Sequence, residues 1–195
     1  MIIGITGGTG CGKTTALQTI RDLGGIIIDC DALYHDLLRT DLAMLSAIEA
    51  RFPGTVKNGT LDRKALAAIV FSERQALLDL NGITHAAVRK ATRALLQPQP
   101  ALAAIDAIEL FDGGLAEDCD VTVAVTAPEE DRIQRLLGRD SITREQALQR
   151  IRAQKPERYF REKCDYILEN NGTQTEFQEK CLAFFRKLTI IKENP

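Results

Sequence analysis

The segment Gly7-Gly-Thr-Gly-Cys-Gly12-Lys13-Thr14 meets the pattern G-x-x-x-x-G-K-[ST] at every fixed position. Its residue types answer to the chemistry of a triphosphate. Glycines let the backbone curl so that its N–H groups converge on phosphate oxygens. A helix beginning near Lys13 would aim its positive end at the same anion. Lys13 is expected to reach the β- and γ-phosphates, and the Thr14 hydroxyl to hold Mg²⁺. The flanking sequence agrees. Met1-Ile-Ile-Gly-Ile-Thr6 is an apolar run that reads as a buried strand, and helix-like sequence extends from Lys13 to Leu23. Gly24-Gly25 closes that helix, and Ile26-Ile-Ile-Asp29 reads as the next buried strand. Strand, helix, strand in that order argues for a parallel sheet with a right-handed crossover.

Farther along, residues 31–97 read as mainly helical, with breaks at Pro53-Gly54 and Asn58-Gly59. So long a helical run between strands implies a subdomain beside the sheet. Leu102 to Ala107 and Val121 to Thr126 are further strands, and Pro128 opens a helix running to about Gly138. Thr143-Arg-Glu-Gln146 has the spacing of a capping box, so another helix begins there. Tyr166-Ile-Leu168 is a last short strand, ending at Asn170-Asn171-Gly172. The closing helix places Phe177, Cys181, Phe184, Phe185 and Leu188 on one face, the pattern of core packing, and the last few residues read as frayed. The expected architecture is a single α/β domain, a three-layer sandwich of the P-loop NTPase type around a parallel sheet. The core takes about 1–30, 100–137 and 164–190, the helical subdomain about 31–97, and a short helical lid about 138–160.

Composition narrows the function classes. A chain of 195 residues can bury about 70% of its unfolded surface, so an ordinary core needs no staples. Lysine and arginine number 25 against 27 aspartates and glutamates, a net charge of −2 that gives no overall case for nucleic-acid binding. The five cysteines are odd in number and too dispersed for a zinc clip, which suits buried, reduced thiols and a cytoplasmic location. Met1 to Ile5 lacks the charged leader and long apolar core of a signal peptide, and no run of about 18 apolar residues predicts a membrane span. Oligomeric state is left open between a monomer and a weak homo-oligomer.

The phosphate loop is common to GTPases, ATPases and kinases, so the acceptor must be read elsewhere. There is no N/T-K-x-D guanine motif. Asp29-Cys30-Asp31 lies where the second strand ends, on the side of a parallel sheet that faces the ligand crevice. Strand alternation would put both carboxylates on one side and Cys30 on the other. Such a carboxylate can take the proton of an attacking hydroxyl or order Mg²⁺, and equally Asp31 can cap a helix from Ala32 to Leu38. Asp106 ends a strand as a Walker-B-like carboxylate would. Arg132, Arg135 and Arg139 line one helix face, either solvated or part of a lid, and Arg144, Arg150 and Arg152 come after a polar link. A closing lid would expel water and bring guanidinium forks onto phosphates. His85 on a helix face is structural or touches substrate, and His35 reads as a polar helix position. Asn170 and Asn171 meet an adenine or form a turn. Cys11, near a positive helix end, is expected to favour its thiolate and to be open to oxidation.

A loop reading T-G-G-x-G-x-G-K-[ST]-T, with a strand ending in D-x-D after it, resembles the dephospho-coenzyme A kinase family. Gly59-Thr-Leu61 with Arg63, His85, Asp106 before Leu110-Phe111, and Asn170-Asn171-Gly172 extend the likeness along nearly the whole chain. The resemblance implies a P-loop kinase core, a helical substrate-binding subdomain and a mobile lid. It also implies transfer of the ATP γ-phosphate to the ribose 3′-hydroxyl of dephospho-coenzyme A, with Mg²⁺. On that basis Gly8, Thr9, Gly10, Cys11, Gly12, Lys13, Thr14, Thr15, Arg135, Arg139 and Asn171 would contact ATP. Asp29, Asp31, His85 and Asp106 would meet the acceptor, with Asp31 as general base. The chain departs from the family at Ala86, where proline usually comes after the histidine. It departs again in Asp106-Ala-Ile-Glu-Leu-Phe-Asp112, which lacks the proline of D-x-P-L-L-F-E and has Glu109 at a leucine position. The rival readings are another small-metabolite kinase, for a nucleoside or sugar, and an ATP-binding switch without transfer.

Overall fold

The apolar run after Met1 becomes β1 (Ile2–Thr6), buried along its whole length. In the computed structural model the described residues are 1–193, and the frayed end expected at the C-terminus lies outside them. After the phosphate loop come α1 (Lys13–Asp22) and β2 (Ile26–Asp29). Later strands are β5 (Ala103–Asp106), β6 (Val121–Thr126) and β7 (Tyr166–Glu169), and α9 (Gln174–Glu193) closes the chain. The sheet order is β2-β5-β1-β6-β7. β1 runs parallel to β5 and β6, and β6 runs parallel to β7. Parallel neighbours end on the same side, so the segments leaving β1, β5, β6 and β7 gather along one edge of the sheet. Helices lie on both sides of it, as the α/β reading expects.

Ala16 and Ile20 of α1 and Phe177, Cys181, Phe185 and Leu188 of α9 pack with Ile3, Ile5, Val123 and Val125 of the strands. Ile20 and Phe185 are fully buried, which contributes about 1.5–3 kcal/mol each. Phe184 packs against the same cluster from a partly buried position, so the apolar face read for the closing helix is present. Gly7 joins this core to the loop at φ 133°, and a Cβ there would run into the Val125 carbonyl oxygen. Gly7→Ala is expected to cost at least about 3 kcal/mol of stability, read as a lowered Tm, because both backbone strain and a clash with a central strand must be absorbed.

Asp29–Gln97 forms a compact unit of its own, distinct from the rest of the chain. It contains α2 (Cys30–Thr40), α3 (Leu42–Arg51), α4 (Arg63–Val70) and α5 (Arg74–Leu95). Leu38, Met44, Ile48, Phe52, Leu66, Val70, Ala76 and Leu80 form its core. Between α3 and α4 lies a hairpin, β3 (Val56–Lys57) with β4 (Thr60–Leu61), where the sequence predicts only a break in the helices. Two-residue strands are too short to show alternation. Asn58 at φ 53° and Gly59 at φ 74° carry the signal, since that dipeptide suits the two-residue hairpin turn.

In the other unit α6 (Glu129–Asp140) continues past Gly138, and Ser141 ends it at φ 47°. α7 (Arg144–Arg152) opens with the expected capping box: the Thr143 N–H donates to Gln146 Oε1 at 2.9 Å, and the Gln146 N–H donates to Thr143 Oγ1 at 3.3 Å. Ile133, Leu136, Ala147 and Ile151 join the two helices, and α8 (Glu157–Lys163) comes next. No helix among the described residues is long and apolar enough to cross a membrane.

Candidate active site

The loop from Gly7 to Gly12 leaves the end of β1 and enters α1 directly, with Gly12 as the N-cap at φ 100°. A helix start leaves its first N–H groups without intrahelical acceptors, and here they belong to Lys13 and Thr14, the Thr15 N–H donating to the Gly12 carbonyl at 3.1 Å. Lys13 lies across its own loop, Nζ donating to the Gly7 carbonyl at 2.9 Å. Thr14 is exposed in the first turn of α1. No group of three or more His, Cys, Asp or Glu side chains among the described residues could hold a metal. A hydroxyl, phosphate oxygens and water are nevertheless the hard oxygen set that Mg²⁺ accepts, so Thr14 fits the ion.

The outer side of the loop is held by residues whose role is not apparent in the sequence. Arg132 Nε donates to the Thr9 carbonyl at 2.8 Å, and the Thr9 N–H donates to Gln154 Oε1 at 2.7 Å. Arg135 Nη1 donates to the carbonyls of Gly10 at 3.2 Å and Cys11 at 3.4 Å, and its Nη2 donates to Asn170 Oδ1 at 3.1 Å. Buried Asn170 gives its Nδ2–H to the Cys11 carbonyl at 2.9 Å. The arginine stripe is visible in the sequence, but nothing there shows that Arg132 and Arg135 address backbone carbonyls. Gln154, a neutral residue in a polar link, gives no signal at all.

Cys11 corrects an expectation. It is 3% exposed, and burial raises its thiol pKa despite the nearby Arg132 and Lys13 charges. Desolvation of the thiolate outweighs the helix end. Cys11 is therefore expected to resist iodoacetamide in the native protein and to react once urea exposes it, as peptide mass spectrometry would show.

Asp29 and Asp31 also differ from the strand reading. The strand ends at Asp29, and Asp29, not Asp31, is the N-cap of α2, its Oδ1 accepting the Ala32 N–H at 2.9 Å. Asp31 stands in the first helical turn, so strand alternation does not relate the two carboxylates. His85 lies on α5, partly buried, and His35 on α2. Asp106 ends β5 in register with Ile5 of β1, next to the strand that feeds the loop.

Arg139 bonds Asp140 through Nε at 2.6 Å and Nη2 at 2.9 Å, and Arg150 reaches the same carboxylate at 2.8 Å. Arg144 and Gln134 hydrogen bonds hold the Glu130 carboxyl down at about 2. Arg139, Arg144 and Arg150 are thus partnered by acids of α6. In the stretch that departs from the family pattern, Asp112 accepts from Tyr159 Oη at 3.1 Å and pairs with Lys155 at 2.8 Å.

Of the two asparagines after β7, Asn170 braces the loop. Asn171 lines a cleft of about 370 Å³ with Glu169, Gly172, Glu176, Phe177 and Lys180. Phe177 also approaches Gly12, where a Cβ would lie 3.5 Å from its ring, so this cleft adjoins the start of α1.

Residues 1–176 match the family model described as Dephospho-CoA kinase. The chain belongs to the dephospho-CoA kinase family. A dephospho-CoA kinase of Syntrophotalea carbinolica is 33% identical, over all of this chain and 95% of its own length. One from Thermus thermophilus is 34% identical, covering 97% of this chain and 92% of the relative. A solved structure, TT1252 from Thermus thermophilus, superposes with a TM-score of 0.77 at 34% identity, covering 96% of this chain and 97% of that one. As a dephospho-CoA kinase family member, the chain is an enzyme of the kinase type, with ATP as co-substrate.

Proposed function

We propose that this enzyme transfers the γ-phosphoryl group of ATP to the ribose 3′-hydroxyl of dephospho-coenzyme A, giving coenzyme A and ADP in a reducing cytoplasm. The observation that carries the reading is an intact phosphate loop, seated between β1 and α1, in a chain that matches the family model over residues 1–176.

The 3′-oxygen attacks phosphorus in line, and the bond from phosphorus to the β,γ-bridging oxygen breaks, leaving its electron pair on ADP. Asp31 takes the proton of the attacking hydroxyl. Asp29 supports it by fixing the start of α2. Loop amides and Lys13 hold the β- and γ-phosphates, with Lys13 exchanging the Gly7 carbonyl for phosphate oxygen. Mg²⁺ on Thr14 would neutralise charge across the phosphates. Arg139 exchanges Asp140 for a phosphate as the segment from 138 to 160 closes. Arg135 acts through the loop carbonyls it already holds. Asn171 and its cleft take the adenine. His85 and Asp106 contact the acceptor, and Asp106 would alternatively help hold Mg²⁺.

A coupled ADP-release assay on the purified protein tests this reading, with dephospho-coenzyme A beside a nucleoside and a sugar panel. Turnover confined to dephospho-coenzyme A is expected. Preference for another acceptor would reassign the substrate to the altered stretch from Asp106 to Asp112.

A further inference from the structure

We propose that Gln154 is a positioning residue for the triphosphate. From the link between α7 and α8 it anchors the Gly8–Thr9 peptide and the Arg132 guanidinium, and through Arg132 fixes the Thr9–Gly10 peptide whose N–H faces the ligand. The inference rests on Gly7–Thr14 being the ATP site.

A trans peptide points its C=O and the next residue's N–H in opposite directions. Drawing the carbonyls of Thr9 and Cys11 outward therefore turns the N–H groups of Gly10 and Gly12 to the other side, while the Cys11 N–H donates to the Gly8 carbonyl at 3.3 Å and closes the turn. The structure does this with named groups. Arg132 Nε holds the Thr9 carbonyl at 2.8 Å, and Arg135 Nη1 holds those of Gly10 and Cys11 at 3.2 and 3.4 Å. Those bonds fix the three peptides on the C-terminal side of Thr9. The peptide before it carries the Thr9 N–H, and Gln154 Oε1 accepts that group at 2.7 Å while receiving Arg132 Nη2 at 3.4 Å.

Thr9, Arg132 and Gln154 form a closed ring of hydrogen bonds in which neither peptide flanking Thr9 is free to rotate. The ring matters because Gly8 and Gly10 flank Thr9 and rotate more freely than any other residue. At Gly10, a Cβ would lie 2.9 Å from the Arg132 carbonyl, so α6 lies directly against the loop. An amide suits position 154 better than a carboxylate: it accepts both N–H groups without placing negative charge beside a triphosphate. Gln154 also comes just after α7, within the segment proposed as the lid, so lid movement and loop order share one hydrogen bond.

The test uses the full chain with Gln154→Met, which keeps length and bulk but removes the acceptor, and Gln154→Ala. ADP and AMP affinities are measured by titration calorimetry, beside the KM for each substrate and the Tm. AMP lacks the β-phosphate that the loop grips. ADP binding is expected to weaken about tenfold and the ATP KM to rise in step, with AMP binding, the dephospho-coenzyme A KM and Tm nearly unchanged. Because both side chains act on one residue, adding Gln154→Met to Arg132→Ala is expected to cost much less than it does alone. ADP affinity unchanged in Gln154→Met, equal weakening of ADP and AMP, or full additivity with Arg132→Ala would each overturn the proposal. Native protein that prefers ADP to AMP yet leaves dephospho-coenzyme A untouched would sink the acceptor reading and leave this inference standing.

Discussion

Asp31→Asn is expected to leave ATP binding intact while lowering turnover with dephospho-coenzyme A about 10²- to 10⁴-fold. Asparagine keeps the shape of the side chain and cannot take a proton, so the loss falls on the step in which the 3′-hydroxyl is activated. Asp31 lies in the first turn of α2, where negative charge meets the positive helix end. Asp31 is exposed and asparagine keeps its shape, so Tm is expected to move little. Asp29 supplies the contrast. Its contribution in the structure is the cap on the Ala32 N–H, and asparagine caps about as well as aspartate. Asp29→Asn is therefore expected to retain most activity, and Asp29→Ala to lose about 1 kcal/mol of stability. Calorimetric ATP binding and steady-state rates on the three variants separate base from cap. Full turnover by Asp31→Asn would remove Asp31 from the chemistry.

Lys13→Ala carries the second large effect, a fall in kcat/KM of about a thousandfold. The ammonium rests 2.9 Å from the Gly7 carbonyl, so it is already stationed over the loop and needs only to exchange that oxygen for phosphate. A preplaced charge of this kind stabilises the transition state more than the ground state, so kcat should fall further than KM rises. Lys13→Arg is not expected to rescue it, since a planar fork cannot replace a compact point charge in so tight a loop. Because the Gly7 carbonyl loses a partner when Lys13 is removed, Tm must be measured alongside. A variant with normal kcat would leave the γ-phosphate without its proposed cation.

How much of the molecule is legible in its sequence depends on the reach of the interactions. β1, the loop and α1 are encoded locally, in an apolar run, spaced glycines and the Lys13-Thr14 pair, and the structure has them where the sequence predicts. The capping box at Thr143 and Gln146 and the apolar face of α9 are equally local patterns. The boundary at Asp29 is not, because an aspartate serves a strand end and a helix cap alike. Only the bond to Ala32 decides that Asp29 caps α2 and that Asp31 is helical. Cys11 misleads for a related reason: its position at a positive helix end is visible in sequence, whereas its burial comes from joining a core cluster assembled from strands and helices far along the chain. The outer brace of the loop is the least legible part. Arg132, Gln154 and Asn170 are separated from it by more than a hundred residues, and each acts on a backbone group that has no sequence signature.

The claim on which the rest depends is phosphoryl transfer to the ribose of dephospho-coenzyme A. Phosphorus NMR of the mixture of enzyme, Mg²⁺, ATP and dephospho-coenzyme A addresses it directly, because it tracks where the γ-phosphorus goes. A new phosphomonoester resonance coupled to the ribose H3′ should grow at the rate ADP appears. ADP accompanied by inorganic phosphate alone, with dephospho-coenzyme A unchanged, would mean that the loop hydrolyses ATP and that no acceptor site of the proposed kind exists.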